Sequence, residues 1–269
     1  MESSSEVPKR PGLFPGIDTS KWPLWGIVLA LAGIAISTLI ITNGNYNDTF
    51  MFLKAGVITT LRITFFSFLI ATTLGLLTGL ARVSKNPILF NISTLYVETV
   101  RGIPLVVLLL YIAFALVPLV IDTLASLKII VSIRDVPMEI RAIVALAIGY
   151  GAYEGEVFRA GIQSIGRGQM EAARALGLSY AQAMRFVILP QAVRRVLPPL
   201  GNDFISLLKD SSLATVLAVD ELTQLGRIRR ASTFRVLETF NVVAFLYLAM
   251  TLLLSSGVRW LENKLRIAE

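Results

Sequence analysis

The sequence predicts an all-α, polytopic membrane protein with about six transmembrane helices, and three observations support this prediction. Of the 269 residues, 55% are hydrophobic and only 16% are charged, whereas soluble domains carry about 25% charged residues. The apolar residues fall into separate runs that are long enough to cross a hydrocarbon core of roughly 30 Å. The polar and charged residues lie mostly between these runs. The chain is therefore predicted to be an integral membrane protein.

The first predicted span lies near the N-terminus. Residues 1–23 are polar and rich in Pro and Ser, and we interpret them as a cytoplasmic tail. Residues 24–42 are uncharged and are predicted to form the first transmembrane helix. A signal peptide would have a shorter polar lead and a small-residue cleavage site after its apolar run. We therefore expect a retained helix, followed by a polar turn at residues 43–48.

Five further spans follow this turn. They are predicted at residues 56–81, 92–121, 140–162, 201–219 and 239–258. The third of the six spans contains Pro104 and Pro118, which membrane helices tolerate when neighbouring helices satisfy the freed backbone groups. The fifth is only weakly hydrophobic, because Lys209 and Asp210 lie in it. We count it as a span, since omitting it would invert the sixth helix and place the basic C-terminus outside.

Six spans place both chain termini on the same side of the membrane. This side also holds Arg82, Lys85 and a basic insert between the fourth and fifth spans. By the positive-inside rule it is the cytoplasm. One loop disagrees, because residues 221–238 lie outside in this arrangement yet contain four arginines. Either this loop is a folded piece that escapes the rule, or the fifth span does not cross.

Cysteine and histidine are both absent from the chain. Their absence excludes disulfides, thiolate nucleophiles, imidazole metal sites and a Ser-His-Asp triad. No GxxxxGK[ST] loop occurs, so the usual phosphate cradle is also missing. The net charge of +7 does not indicate nucleic-acid binding, because the basic residues are scattered between apolar spans. We expect no catalytic residue, no metal site and no cofactor in this chain.

A polar, helix-forming insert interrupts the apolar pattern at residues 164–200. Residues 171–176 are almost entirely strong helix formers and predict its first helix. Gly177 can adopt the left-handed conformation that ends a helix, and Leu178 can supply the apolar contact that often accompanies such an end. The sequence therefore predicts a helix that stops sharply at a glycine turn.

A second helix is predicted directly after this turn. Ser179 and Gln182 have the spacing of a capping box, which marks a helix start. Pro190 has no backbone donor and marks the predicted end of this helix. By shape alone, the insert is either an amphipathic hairpin on the membrane surface or a segment that binds a soluble protein.

The spacing within the insert favours the second interpretation. It reads EAA, three residues, Gly177, nine residues, and then Val-Ile-Leu-Pro ending at Pro190. This pattern resembles the EAA loop of permease subunits of ABC importers, whose consensus is EAA-x3-G-x9-I-x-L-P, with Val187 in place of the Ile. The resemblance implies a helix that docks onto an ATPase. The coupling residues that it implies are Glu171, Ala172, Ala173, Gly177, Leu178 and Pro190.

Other stretches are similar to the polar amino-acid branch of these permeases, which includes histidine, glutamine and glutamate permeases. They are residues 101–104 (RGIP), 152–162 (AYEGEVFRAGI) and 202–213 (NDFISLLKDSSL). The resemblance covers residues 56–265 and implies the five-helix core of a type I importer. Residues 24–42 would then form an extra N-terminal helix.

The resemblance also implies the function and the partners. The chain would be the permease subunit of an ATP-driven importer, in a prokaryotic plasma membrane, that translocates polar amino acids. A second permease subunit, identical or a sibling chain, would complete the path. An ATPase dimer would bind ATP and Mg, and a soluble or lipid-anchored substrate-binding protein would deliver the amino acid. Lipid surrounds the helices, and no nucleic acid is implied.

Polar residues within the predicted spans are candidates for the substrate path. An ionisable group at this depth costs about 2.5–3.5 kcal/mol on insertion scales, so its presence indicates a function. Glu154 could pair with a substrate ammonium group. Asn202 and Ser206 are four residues apart and share a face of the fifth helix. They could bind an amino acid, but polar residues also hold membrane helices together.

Four further charged residues have alternative interpretations. Lys209 and Asp210 are predicted to face inward, where they either brace the bundle or meet the substrate. Glu156 and Arg159 are three residues apart and are predicted to neutralise each other on one helix face.

Two other functions are compatible with a polytopic membrane protein. One is a stand-alone channel or secondary transporter for small polar solutes that uses buried Glu and Lys as a proton relay. The other is a non-transporting scaffold that recruits a cytoplasmic protein. The insert argues against a secondary transporter, which needs no docking site for an ATPase.

Overall fold

The computed structural model describes residues 24–129 and 132–265, and within them the chain forms helices and no strand. The helices are α1 (Leu24–Thr42), α2 (Gly44–Arg82), α3 (Pro87–Gly102), α4 (Leu105–Tyr111), α5 (Val117–Ser126), α6 (Met138–Gln163), α7 (Arg167–Ala175), α8 (Tyr180–Ala183), α9 (Leu189–Asp210), α10 (Leu222–Thr233) and α11 (Val236–Leu265). The predicted N-terminal tail, residues 1–23, lies outside the described residues.

Four helical segments in the described ranges are long and apolar enough to cross a membrane. They are Leu24–Thr42, Gly44–Arg82, Leu105–Ser126 and Val236–Trp260. The charged helices α6 and α9 fall outside this group, but α6 packs against α2 and α4, and α9 packs against α2, α6 and α11. The predicted all-α, polytopic membrane fold is therefore confirmed.

The centre of the bundle is the parallel seam between α2 and α6, in which small residues allow close contact. A Cβ added at Gly75 would lie 2.7 Å from the Cβ of Glu154, and one added at Gly79 would lie 2.5 Å from the Cβ of Phe158. Such distances leave no room for a side chain, so the two backbones approach as in other small-residue membrane interfaces.

The predicted turn at residues 43–48 is wrong in its length, because the turn in the structure is much shorter. Only Asn43 lies outside the helices, and its side chain accepts a hydrogen bond from the backbone N–H of Asn45 at 3.0 Å. This N-cap starts α2 at Gly44, twelve residues before the predicted start at Gly56. The added residues are held because Thr49 and Leu53 are buried against the rest of the bundle.

The predicted third span, residues 92–121, is broken rather than continuous. Its first part, α3, begins at Pro87 and ends at Gly102, and α4 begins at Leu105. Ile103 is extended, with φ −103° and ψ 133°, because a following proline disfavours the helical conformation. Pro118 breaks nothing, since it lies in the first turn of α5, after a π-helical turn at Ile112–Leu116.

The predicted end of the second insert helix at Pro190 is also wrong. The helical backbone runs from α8 through a π-helical turn at Met184–Ile188 into α9 without a break. Pro190 lies in the first turn of α9. The wider π turn before it accommodates a residue that has no N–H to donate.

The fifth span differs from its predicted bounds, residues 201–219. The helix α9 already begins at Leu189 and continues as a 3-10 helix over Ser211–Leu217, which ends at Ala218 in the left-handed conformation. This segment runs the length of the α2–α6 seam. Val196 packs on Gly161 near the end of α6. After the segment ends, the N–H of Leu222 donates to Thr60 Oγ1 of α2.

The arginine-rich loop at residues 221–238 is a folded piece, as the first of the two alternatives requires. Glu221 is fully buried, and its carboxylate accepts hydrogen bonds from the backbone N–H groups of Thr223 and Gln224 at 2.7 and 2.8 Å. This carboxylate cap starts α10. Leu222 in turn packs on Gly56 of α2.

Candidate functional site

The helical hairpin formed by α7, α8 and the turn between them contains the predicted glycine stop. Gly177 has φ +86°, a region that residues with a Cβ avoid. The N–H of Gly177 donates to Arg174 O at 3.0 Å, and that of Leu178 donates to Ala173 O at 3.2 Å. These two bonds form a Schellman motif, which satisfies the last carbonyls of α7.

The second half of the hairpin begins with the predicted capping box. The N–H of Gln182 donates to Ser179 Oγ at 3.3 Å, and the N–H of Ser179 donates to Gln182 Oε1 at 2.8 Å. Both helix ends at the turn therefore have their hydrogen bonds satisfied within residues 173–182. The hairpin holds its shape through local contacts and needs no partner to form its turn.

Large apolar side chains are exposed on the hairpin and on the π-helical turn that follows it. Leu176 is 84% exposed and Phe186 is 62% exposed, and Tyr180 is also exposed. Arg174 and Arg185 are exposed next to this apolar patch. A rigid apolar centre with arginines around it has the composition of a protein-binding surface.

The six predicted coupling residues divide into exposed and buried groups. Glu171, Ala172, Gly177 and Pro190 are exposed, Leu178 is half-buried, and Ala173 is buried. Ala173 lies on the buried face of α7. The EAA segment therefore presents its glutamate and first alanine outward, while its second alanine packs inward.

The base of the hairpin is anchored to the bundle by an apolar cluster. Ile188 is buried with Ile162 and Ile165 from the end of α6, and Leu80 and Val83 of α2 pack on the same cluster. The guanidinium of Arg195 also donates to the carbonyl of Ser164 at 2.7 Å. The hairpin is thus packed against the ends of α2 and α6 and is continuous with α9.

Glu154, the first path candidate, lies inside the α2–α6 seam. It is fully buried, and none of the described residues donates a hydrogen bond to either carboxylate oxygen. A buried carboxylate without a donor is costly. The described part of the chain therefore supplies no hydrogen-bond partner for this carboxylate.

The other path candidates lie along α9. Asn202 and Lys209 are exposed, and Ser206 is half-buried. Asp210 accepts a hydrogen bond from the hydroxyl of Tyr150 on α6 at 2.7 Å, which ties the end of α9 to the seam.

Glu156 and Arg159 form an ion pair, with Arg159 Nε 3.0 Å from both carboxylate oxygens. They are not an isolated pair. Arg82 Nη1 donates to Glu156 Oε2 at 2.7 Å, and Arg82 Nη2 lies 3.6 Å from Glu98 Oε1. The charges at this end of the bundle therefore join α2, α3 and α6.

Sequence reasoning did not single out several of these residues. Arg82 was only a topology signal, Tyr150 was not singled out, and Asp203 was one of the polar residues of the fifth span but not a site candidate. Asp203 has one buried carboxylate oxygen without a donor among the described residues. The sequence alone could have indicated Asp203 as a candidate, since an acidic residue in a predicted span indicates a function by default.

Arg141 is another residue that the sequence did not reveal. Its side chain is buried and donates to the carbonyls of Ala113, Ile133 and Val136 at 2.9 to 3.1 Å. The carbonyl of Ala113 lies in the π-helical turn between α4 and α5. Arg141 therefore fixes that turn and the segment before α6.

Comparison with known proteins gives one family and several relatives. Residues 71–267 match the family described as binding-protein-dependent transport system inner membrane component. The glutamine transport system permease protein GlnP of Escherichia coli (strain K12) is 42% identical over 194 residues, which cover 72% of this chain and 84% of the relative. The probable glutamine ABC transporter permease protein GlnP of Bacillus subtilis (strain 168) is 38% identical over 216 residues, covering 78% and 92%.

A solved structure is similar over most of the bundle. It is a crystal structure of an amino acid ABC transporter with histidines, and a chain in it superposes with a TM-score of 0.68 at 36% sequence identity. The superposition covers 81% of this chain and 95% of the other.

Proposed function

This chain belongs to the family of binding-protein-dependent transport system inner membrane components, and we propose that it is the transmembrane permease subunit of an ATP-driven importer of polar amino acids. The observation that carries the proposal is the exposed, preformed hairpin with the EAA spacing. The relatives support the substrate class, because they are named as permeases for glutamine or other amino acids.

The hairpin is the docking site for a separate ATPase dimer, which binds ATP and Mg. Its exposed Leu176, Tyr180 and Phe186 supply the apolar centre of the contact, and Glu171 and Gly177 lie at the same surface. Nucleotide-driven closure of the ATPase moves the hairpin, and its apolar base passes this movement to the bundle. Hydrolysis belongs to the partner, so this chain is not a catalyst.

The remaining partners follow from the same assignment. A second permease subunit, the same chain or a sibling, completes the path, and a soluble or lipid-anchored binding protein delivers the amino acid. Residues 56–265 form the permease domain with the coupling loop at 164–200, and α1 is an addition to it. Both termini and the hairpin lie in the cytoplasm of a prokaryotic cell, as the positive-inside rule requires.

The substrate path runs beside the α2–α6 seam and α9. The candidate residues are Glu154, Asn202, Ser206, Lys209 and Asp210. Glu154 supplies negative charge for a substrate ammonium group, and the exposed amide of Asn202 and the half-buried hydroxyl of Ser206 supply hydrogen bonds. Glu156 and Arg159 serve structure rather than substrate, because they already satisfy each other.

The function is tested by reconstitution into lipid vesicles. The complete complex, with its ATPase and its binding protein, is offered a panel of labelled amino acids with and without ATP. We expect uptake of polar amino acids that requires ATP and all the subunits. Uptake by the permease alone would instead support the stand-alone transporter or channel.

The role of Glu154 is tested by Glu154→Gln in the same vesicles. This substitution removes the charge and keeps the shape. We expect weaker uptake of zwitterionic or cationic amino acids, because the negative charge that attracts the ammonium group is lost. Ser206→Ala serves as a comparison that removes one hydroxyl and no charge. Unchanged uptake kinetics in Glu154→Gln would remove this residue from the path.

A further inference from the structure

We propose that Arg82 is a positioning residue that ties α3 to the hairpin end of the α2–α6 seam, so that a movement of the hairpin is passed on to α3. This inference rests on the proposed function, because it takes the hairpin to be moved by an ATPase. It concerns a residue that acts through Glu98 and Glu156 and has no direct contact with substrate.

The helix α3 is weakly held by apolar packing. Only two of its 16 residues, Ser93 and Val97, are buried. A groove of about 760 Å³ lies between α2 and α3, lined mainly by leucines and isoleucines such as Leu77 and Ile92. The chain is also interrupted directly after α3, at Ile103. An element with few buried contacts and a break at one end is suited to moving as a unit.

Three polar contacts hold α3 in place instead. The hydroxyl of Tyr96 donates to the carbonyl of Ile148 at 2.7 Å, and the guanidinium of Arg101 lies 5.3 Å from the centre of the Tyr153 ring. The third contact is Glu98 with Arg82, at 3.6 Å. The first two join α3 to the middle of α6, and only the third joins it to the end of α2.

Arg82 is well placed to carry a movement because it is shared between two carboxylates. Its side chain is only 12% exposed and donates to Glu156 at 2.7 Å, while Arg159 holds Glu156 from the other side. Its Nε is buried and has no acceptor among the described residues. The guanidinium is therefore fixed to α6 by one edge and keeps a donor available for Glu98 as α3 shifts.

Arg82 also lies in the helical turn that contacts the hairpin. Leu80 and Val83, on either side of it along α2, pack against the apolar cluster that includes Met184 and Val187 from the hairpin base. A displacement of that cluster moves the last turn of α2, and with it the anchor of Glu98. This arrangement gives a continuous physical path from the hairpin to α3.

The test compares Arg82→Gln with Arg62→Gln in the reconstituted complex. Arg62 pairs with Glu139 at 2.5 and 2.6 Å and joins the same two helices at their opposite end. It is therefore a matched control for the loss of an α2–α6 ion pair. We expect Arg82→Gln to raise the ATP hydrolysed per amino acid transported by at least about fivefold, a typical coupling factor, and Arg62→Gln to leave this ratio unchanged.

A second variant distinguishes the proposed role of Arg82 from an effect of misfolding. Glu98 is 69% exposed, so Glu98→Gln removes the link to α3 without disturbing a buried residue. We expect it to shift the ratio in the same direction as Arg82→Gln, by a smaller factor. Arg82→Lys, which keeps the charge but not the two-sided geometry, should fall between wild type and Arg82→Gln.

The movement itself can be followed because the chain contains no cysteine. Spin labels on Leu77→Cys and Ile92→Cys report the width of the groove between α2 and α3. We expect ATP to change this distance in the wild-type background and in Arg62→Gln, and to change it less in Arg82→Gln. An equal change in all three backgrounds would overturn the inference.

Failure of the inference is distinguishable from failure of the proposed function. If the wild-type complex shows no ATP-dependent uptake, the function itself is wrong. If the wild type transports and Arg82→Gln matches Arg62→Gln in both coupling ratio and label distance, only the role of Arg82 is refuted.

Discussion

The hairpin and the α2–α6 seam follow opposite rules of packing. The hairpin leaves Leu176 and Phe186 exposed and closes its turn by local hydrogen bonds. The seam buries the carboxylate of Glu154 and excludes side chains at Gly75 and Gly79. The difference is consistent with the proposed roles, in which the hairpin binds another protein and the closely packed seam holds the bundle together.

The largest expected effect comes from breaking the seam. We expect Gly79→Leu to destabilise the protein by about 3 kcal/mol or more, because the new side chain would overlap Phe158 and the carbonyl of Gly155. Thermal unfolding in detergent measures this change. Gly257→Leu on α11 is the control, since nothing lies within 4 Å of a Cβ there. Equal stability of both variants would contradict a rigid seam.

A smaller effect is expected from the exposed surface of the hairpin. Leu176→Ser should leave thermal stability nearly unchanged but weaken ATPase binding by about 2 kcal/mol, or roughly thirtyfold, if Leu176 is a central contact. Titration of the ATPase onto detergent-solubilised permease measures the affinity. Leu127→Ser, which alters an exposed leucine away from the hairpin, should have no effect on it. Equal losses in the two variants would contradict the docking surface.

The smallest effect is expected from the shape of the turn. Gly177→Ala should cost about 1 kcal/mol locally, because a Cβ is disfavoured at φ +86°. Nothing lies within 4 Å of the new atom, so the bundle itself should not be affected. Gly168→Ala tests a hairpin glycine at which φ is not positive. We expect reduced ATPase retention on co-purification for Gly177→Ala alone, and a bulkier residue there should enlarge the loss.

The hairpin turn could be predicted because its causes are local. The Schellman motif and the capping box involve only residues 173–182, and their residue types specify both. The presence of most spans was predicted equally well from the lengths of their apolar runs. The segment 24–42, for example, is α1 with the same bounds.

The two prolines show why other boundaries could not be predicted. Pro104 follows the end of a helix and Pro190 does not, although a helical segment precedes each of them. The difference lies in the π-helical turn before Pro190, whose base is packed against α2 and α6. A single sequence does not reveal such long-range contacts. The same reason applies to Arg82 and Glu156, which meet across 74 residues.

The uninterrupted backbone from Tyr180 to Asp210 has a mechanical consequence. At about 1.5 Å per residue, this rod is divided by the contact of Val196 with Gly161 into arms of about 24 and 21 Å. Because this contact lies near the midpoint of the rod, a rotation about it would displace the two ends by nearly the same distance. Under the proposed function, an ATPase that tipped one arm about this contact would displace Asp210 by nearly the same distance in the opposite direction.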